Sequence, residues 1–159
     1  MWADAERLFD AHRATLASAG VALHARLEAD QGLLCSYADG VVRLALPDPA
    51  LPGGALRAAM IAALLGLEPA AVTWMFRAQL ARLVGHEIGH ALRAEHGTTT
   101  ADPWREEQAA ERFADVLGRP HIDAATRREL RVVLAGVVAR LGGLAEAAAL
   151  HRAGGRALG

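Results

Sequence analysis

Two histidines and a glutamate in the segment GHEIGHALRAEHG, residues 85–97, can act together only if this part of the chain is helical. His86 and His90 are four residues apart, which places them about 40° apart around a helix axis, so that their side chains project together. Two imidazoles in that arrangement can bind one Zn²⁺ at about 2.0–2.1 Å each. The surrounding apolar periodicity predicts a helix over residues 70–95, with Gly97 as its C-terminal stop.

Glu87 lies beside this pair, about 60° from His90 around the helix. At that angle Glu87 is poorly placed to bind the zinc ion together with the two histidines. It is well placed to take a proton from a water molecule activated by zinc. We therefore predict that Glu87 is the general base in the hydrolysis of a peptide carbonyl. Gly85 and Gly89 each cost a helix up to about 1 kcal/mol relative to alanine, so they predict close approach of another backbone or of a substrate.

A catalytic zinc ion needs a third protein ligand, and three candidates compete. His96 has the spacing of the metzincin pattern HExxHxxGxxH, but Arg93 replaces its glycine, and on a continuous helix His96 points about 240° away from His90. The next predicted helix has a face of two glutamates and two small residues: Glu107, Ala110, Glu111 and Ala114. Glu107 could bind zinc there, with Glu111 hydrogen-bonded to a ligand histidine.

Two segments together resemble the ImmA/IrrE family of gluzincin metallopeptidases. HEIGHAL is similar to the HExxH of that family, and its second motif, ExxANxFA followed by a proline, is similar to the pattern here of Glu107, Ala110, Phe113, Ala114 and Pro120. The resemblance extends over residues 33–120. It implies that His86 and His90 are ligands, Glu87 the base and Glu107 the third ligand. It also implies an edge strand that aligns an extended peptide above the zinc ion.

The remaining pattern predicts an α+β, zincin-like fold: a small antiparallel sheet or hairpin followed by a helical bundle that carries the HExxH helix. Alternation in residues 21–28 predicts a strand, and Asp39-Gly40 predicts a two-residue hairpin turn within residues 33–47. Further helices are predicted over residues 2–18, 55–65, 104–117, 124–141 and, after Gly142-Gly143, 144–152.

Length and composition predict one domain over residues 1–159, because no linker divides the chain. The formal net charge of −1 argues against a nucleic-acid partner. The N-terminal segment has charged residues where a signal peptide is apolar, and the longest apolar run, residues 58–67, is too short to span a bilayer. We therefore expect a soluble, cytoplasmic protein with a peptide or protein substrate and no membrane partner.

Two alternatives stay open on the sequence alone. Cys35, the single cysteine, could be the third ligand of a zinc hydrolase that resembles peptide deformylase, which also uses HExxH. A non-catalytic, zinc-stabilised interaction module would need four protein ligands, yet Glu87 argues against it, since a purely structural site has no use for a base. The residue that stabilises the transition state is open among several candidates, including Tyr37, His96 and His121.

Overall fold

The computed structural model describes residues 1–32 and 34–157, with side chains described up to residue 143. Its elements are α1 (Trp2–Ser18), β1 (Arg26–Ala29), β2 (Ser36–Ala38), β3 (Val41–Leu44), α2 (Gly54–Leu65), α3 (Pro69–Glu95), α4 (Pro103–Phe113) and α5 (Ala124–Ala157). Between α4 and α5 lie a π-helical turn, Ala114–Gly118, and a 3-10 turn, Arg119–His121. The described part is mostly helical with one small sheet, which confirms the predicted α+β class. Leu33, where the predicted hairpin segment begins, lies outside the described residues.

The sheet has β3 at its centre, between β1 and β2. β2 and β3 form the predicted antiparallel hairpin, with Tyr37 opposite Val42. Asp39 and Gly40 have φ values of 53° and 74°, as the tight turn predicted there requires. β1 pairs with β3 in parallel, so the predicted hairpin is present but the sheet as a whole is mixed and not antiparallel. β2 and β1 lie on opposite edges of β3, and β1 runs in the same direction as β3.

β1 begins at Arg26, whereas the alternation pattern predicted a strand from residue 21. The backbone N–H groups of His24 and Ala25 donate to Glu95 Oε1, at the end of α3, at 3.0 and 2.8 Å. A side chain therefore satisfies these two donors. The strand ladder starts only after them.

α3 is the central element and contacts α1, α2, the sheet and α4. Its buried residues Leu80, Val84 and Ile88 belong to one hydrophobic core with Phe9 of α1 and Val42 of β3. Only four of its 27 residues are exposed: Pro69, Ala70, Arg77 and Ala94. The predicted helix over residues 70–95 is therefore confirmed as a helix with neighbours on nearly every side.

Two predicted helices differ from the structure. α5 continues through Gly142-Gly143, so the prediction of a separate helix over residues 144–152 is wrong. Glycine weakens a helix without necessarily ending it. The predicted helix over residues 104–117 divides into α4 and the π-helical turn, which brings Gly118 against α3. A Cβ on Gly118 would lie 2.4 Å from Arg82 Cα, so only glycine fits this contact without a shift.

Arg57 links α2 to the chain on both sides of the hairpin. Its side chain is buried and donates to the carbonyl oxygens of Gly32, Leu46 and Asp30 at 2.8, 2.5 and 3.0 Å. These bonds fix the segments that lead into β2 and out of β3.

Within the described residues, no helix by itself has the length and apolar composition needed to cross a membrane. α2 and α3 meet that criterion only as a pair, with a bend of 101° between them.

Candidate metal centre

Small residues let α3 and α4 lie directly against each other. A Cβ on Gly89 would lie 2.9 Å from Phe113 Cβ and 3.1 Å from Ala110 Cα. A Cβ on Gly85 would lie 3.4 Å from Ala114 Cα. The close approach of another backbone, predicted from the two glycines, is therefore confirmed. It brings the acidic residues of α4 over the histidines of α3.

His86, His90 and Glu107 form a group that could hold a metal ion, with their candidate ligand atoms all within 4.8 Å of one another. His86 Nε2 and His90 Nε2 are 3.1 Å apart. Glu107 places Oε2 3.2 Å from His86 Nε2 and Oε1 3.5 Å from His90 Nε2. Among the described residues, no other cluster of histidine, cysteine or acidic side chains meets this criterion.

These separations suit a tetrahedral site. Atoms bound to one ion at about 2.0–2.1 Å with tetrahedral angles lie about 3.3–3.4 Å from each other. The observed values of 3.1, 3.2 and 3.5 Å lie on both sides of that spacing, the last two measured to different oxygens of Glu107. Electron pairs on atoms this close repel one another unless a proton or a cation lies between them. The donor set of two imidazoles and a carboxylate thus fits a metal ion.

The second ring nitrogen of His86 faces a carboxylate. Nδ1 lies 3.3 Å from Glu111 Oε2. Glu111 Oε1 and Asp115 Oδ1 accept hydrogen bonds from Arg82, which lies one turn before His86 on α3. A proton kept on Nδ1 by Glu111 leaves the electron pair of Nε2 for a cation. Glu111 therefore lies beside a histidine, where the sequence analysis placed it, and outside the group of ligand atoms.

His90 has similar surroundings, which the sequence analysis missed. Its Nδ1 lies 3.6 Å from Glu106 Oε1, and Arg93 donates to both oxygens of Glu106 at 2.9 and 3.0 Å. The hydrogen bonds from Arg93, helped by the Thr100 N–H, lower the pKa of Glu106 to about 2. In the sequence, Arg93 stands where the metzincin pattern has a helix-ending glycine. Its position one turn after His90 was the available signal that a carboxylate lies beside that histidine.

Glu87 is buried next to the cluster, with a side chain that lacks a full set of partners. The residue is 4% exposed, and its buried Oε2 has no hydrogen-bond partner. Burial raises the pKa of Glu87 to about 7, with a further contribution from the negative charge of Glu107. Leaving a buried carboxylate oxygen unpaired is costly, so its position calls for a ligand or cation to interact with it.

Three other candidates from the sequence lie outside the ligand group. His96 follows the end of α3, is exposed and is outside the ligand group. His121 packs edge-on against the His12 ring, with centroids 5.4 Å apart. Cys35 lines a cavity together with His86 and Glu87 but is outside the ligand group. Burial raises the pKa of its thiol to about 12. Zinc binds a thiolate, so this placement disfavours the deformylase-like alternative.

Two cavities meet at the cluster. One, of about 550 Å³, extends along α3 toward Met75, and the other, of about 360 Å³, extends toward Ala94. Both are lined by Cys35, His86, Glu87 and Glu107. The cluster thus lies where the two cavities adjoin, and Met75 and Ala94, the outermost α3 residues of the two linings, are about 28 Å apart along the helix at 1.5 Å per residue. An extended chain of about eight residues has that length.

Comparison with protein-family models, with curated proteins and with solved structures gives no match. The chemistry that the site can support therefore depends on its own residues. They comprise two imidazoles and a carboxylate at metal-binding distances, a buried carboxylate beside them and an open cleft.

Proposed function

We propose that this protein is a zinc-dependent peptidase with a zincin-like fold, in which His86, His90 and Glu107 hold the zinc ion and Glu87 is the general base. The proposal depends on one observation: three candidate ligand side chains whose nearest atoms are 3.1–3.5 Å apart, beside a buried, unpaired carboxylate oxygen. Zinc suits this donor set because it accepts nitrogen and oxygen ligands in tetrahedral geometry. The resemblance to the ImmA/IrrE family agrees with the same assignment and stays a prediction.

The residues of the site supply binding, orientation and proton transfer. A zinc ion, when bound, supplies a Lewis acid that polarises a carbonyl and lowers the pKa of water to about 7. Glu87 accepts a proton from the attacking water and delivers it to the leaving amine nitrogen. Positive charge in the site favours ionised Glu87 and so opposes the effect of burial on its pKa. Arg82 and Arg93 hold the carboxylates that orient the two imidazoles.

The cleft suits an extended peptide or a segment of a protein as substrate. Glu107 is 60% exposed, so the ligand group can be reached from solvent. Within the described sheet, β2 is an edge strand, and its residues Ser36 and Tyr37 line the cleft. Main-chain hydrogen bonds to such an edge can hold a peptide with one of its bonds beside Glu87.

The substitution Glu87→Gln tests this proposal. Wild-type protein should hold about one zinc ion per chain. Glu87→Gln should keep the zinc and the melting temperature but lose hydrolysis of mixed peptides, because an amide cannot accept the proton. Glu129→Gln, the same change at an exposed position of α5, is the control. Elemental analysis measures the zinc, and the release of new amino termini measures hydrolysis.

Each contrary result has a separate meaning. Protein that neither contains nor takes up zinc rules out the metal site. Zinc-loaded wild-type protein that cleaves no peptide points instead to the non-catalytic, zinc-stabilised interaction module. Cleavage by Glu87→Gln at the wild-type rate rejects Glu87 as the base.

A further inference from the structure

The two halves of the cleft differ in their chemistry. The larger cavity, of about 550 Å³, has six apolar lining residues: Leu34, Cys35, Ala45, Met75, Phe76 and Leu83. Outside the ligand group, the smaller cavity, of about 360 Å³, has polar lining residues that include Ser36, Tyr37, Thr99 and Glu106. Both volumes lie in the range of about 300–1,000 Å³ that is usual for binding pockets.

The larger cavity is bounded by the packed interior of the protein. Met75 is 7% exposed and belongs to a hydrophobic core with Ile122 and Leu130, and Phe76 packs against that core. Arg82 also lines this cavity, but its guanidinium already donates to acidic side chains of the helical segment opposite. Besides the residues of the metal cluster and the pair of Arg82 and Glu111, Gln79 is the remaining polar residue of this lining. An apolar side chain that enters would gain from burial against the six apolar residues, whereas a polar one would exchange water mainly for a single amide.

We propose that the larger cavity is a specificity subsite for a large apolar side chain, such as leucine or phenylalanine, next to the scissile bond of a peptide. The inference rests on the proposed peptidase function, because it places that bond at Glu87. His86, Glu87 and Glu107 line both cavities, so substrate residues on the two sides of the bond enter different halves of the cleft. One side of the bond requires a bulky apolar residue, and the other accepts a small or polar one.

Alanine-based octapeptides test the subsite. The residue immediately before or immediately after the central bond is leucine, phenylalanine, glutamine or aspartate. Calorimetry gives the Kd for zinc-loaded Glu87→Gln, and mass spectrometry locates cleavage by the wild-type protein. At one of the two positions, leucine and phenylalanine should bind at least about tenfold more tightly than glutamine and aspartate, and cleavage should occur at that bond.

Variants of the lining assign the preference to this cavity. Leu83→Gln should reduce the preference for apolar side chains by about threefold or more, because it replaces apolar surface with an amide. Leu34→Gln should act in the same direction, and since Leu34 is 79% exposed, the fold tolerates the change. Thr99→Ala, in the smaller cavity, is the matched control and should leave the preference unchanged.

The outcomes separate this inference from the proposed function. Equal binding of all four side chains at both positions overturns the subsite, as does a preference that neither Leu34→Gln nor Leu83→Gln alters. Cleavage of the same peptides would then leave the peptidase proposal standing. Selective binding to Glu87→Gln without cleavage by wild-type protein supports a peptide subsite and rejects the peptidase. Absence of both binding and cleavage rejects both proposals.

Discussion

At the scale of single residues, Glu107 is the candidate ligand that decides the metal assignment. The other two candidate ligands, His86 and His90, both lie on α3, and only Glu107 comes from a different helix. Glu107→Ala should weaken zinc binding more than Glu111→Ala, which removes only the partner of His86 Nδ1 and should cost about 10–100-fold. His96→Ala should leave zinc affinity unchanged, since His96 is exposed and outside the ligand group. Competition with a chromogenic chelator measures all three affinities.

This assignment has a clear contrary result. If Glu107→Ala binds zinc as tightly as wild type while Glu111→Ala or His96→Ala does not, then Glu107 is not the third ligand. Circular dichroism of the three variants serves as the control for folding. Only variants with the wild-type spectrum count in the comparison.

The residues of the cluster differ in how far the sequence could predict them. His86 and His90 followed from helix geometry, which depends only on spacing within one segment. The face that carries Glu107 and Glu111 indicated Glu111 as the partner of a ligand histidine, but the role of Glu106 depends on how α4 is rotated against α3. That rotation is set by contacts such as Gly89 with Phe113, which no local pattern describes.

At the scale of elements, the surroundings of a helical glycine predict what a methyl group added there would do, and two glycines should respond in opposite ways. Gly89→Ala should lower both stability and zinc affinity, because its Cβ would lie 2.9 Å from Phe113 Cβ and push α4 away. Gly136→Ala in α5 meets nothing within 4 Å, so helix propensity should raise stability by up to about 1 kcal/mol. Thermal unfolding and zinc titration measure the two effects. A Gly89→Ala variant that is more stable and binds zinc like wild type would contradict this account.

Element boundaries were predictable where the signal is local. The hairpin at Asp39-Gly40 follows from turn chemistry, and α3 follows from apolar periodicity. The start of β1 did not follow, because it depends on Glu95, which is distant in sequence and binds the N–H groups before the strand. The parallel pairing of β1 with β3 likewise depends on contacts between segments that are separated in sequence, which no local pattern describes.

At the scale of the whole molecule, we expect the buried side chain of Arg57 to stabilise the arrangement of the sheet against α2. Arg57→Met would leave three carbonyl oxygens without their donor. The bond to Leu46 is buried, so its unsatisfied carbonyl costs about 1–3 kcal/mol, whereas the bonds to Gly32 and Asp30 are only partly buried and cost less. A domain is stable by only about 5–15 kcal/mol, so a large fall in the urea midpoint is expected. Arg57→Lys should give an intermediate midpoint. Arg77→Met, at an exposed position of α3, is the control, and equal midpoints for Arg57→Met and Arg77→Met would refute the prediction.

The sequence gives no sign that Arg57 is buried. Arginine is mostly exposed in proteins, and because the chain has no lysine, Arg57 is one of 17 arginines with no feature that sets it apart. The role of Arg57 arises from three carbonyl groups that come together only when the loop before β2 and the segment after β3 fold against α2. It could be recognised only in the folded molecule.

The burial of α3 has a consequence for how substitutions are tolerated along the chain. One side of this helix meets the hydrophobic core, another meets α4 through glycines, and a third carries the histidines, which leaves four exposed positions among 27. A random change in α5 at an exposed position such as Val132 or Val138 meets mainly water. A change in α3 nearly always meets another element or the cleft. Neutral drift therefore has more room in α5, over residues 124–143, than in α3, so the same mutations in α3 affect both the core and the candidate metal centre.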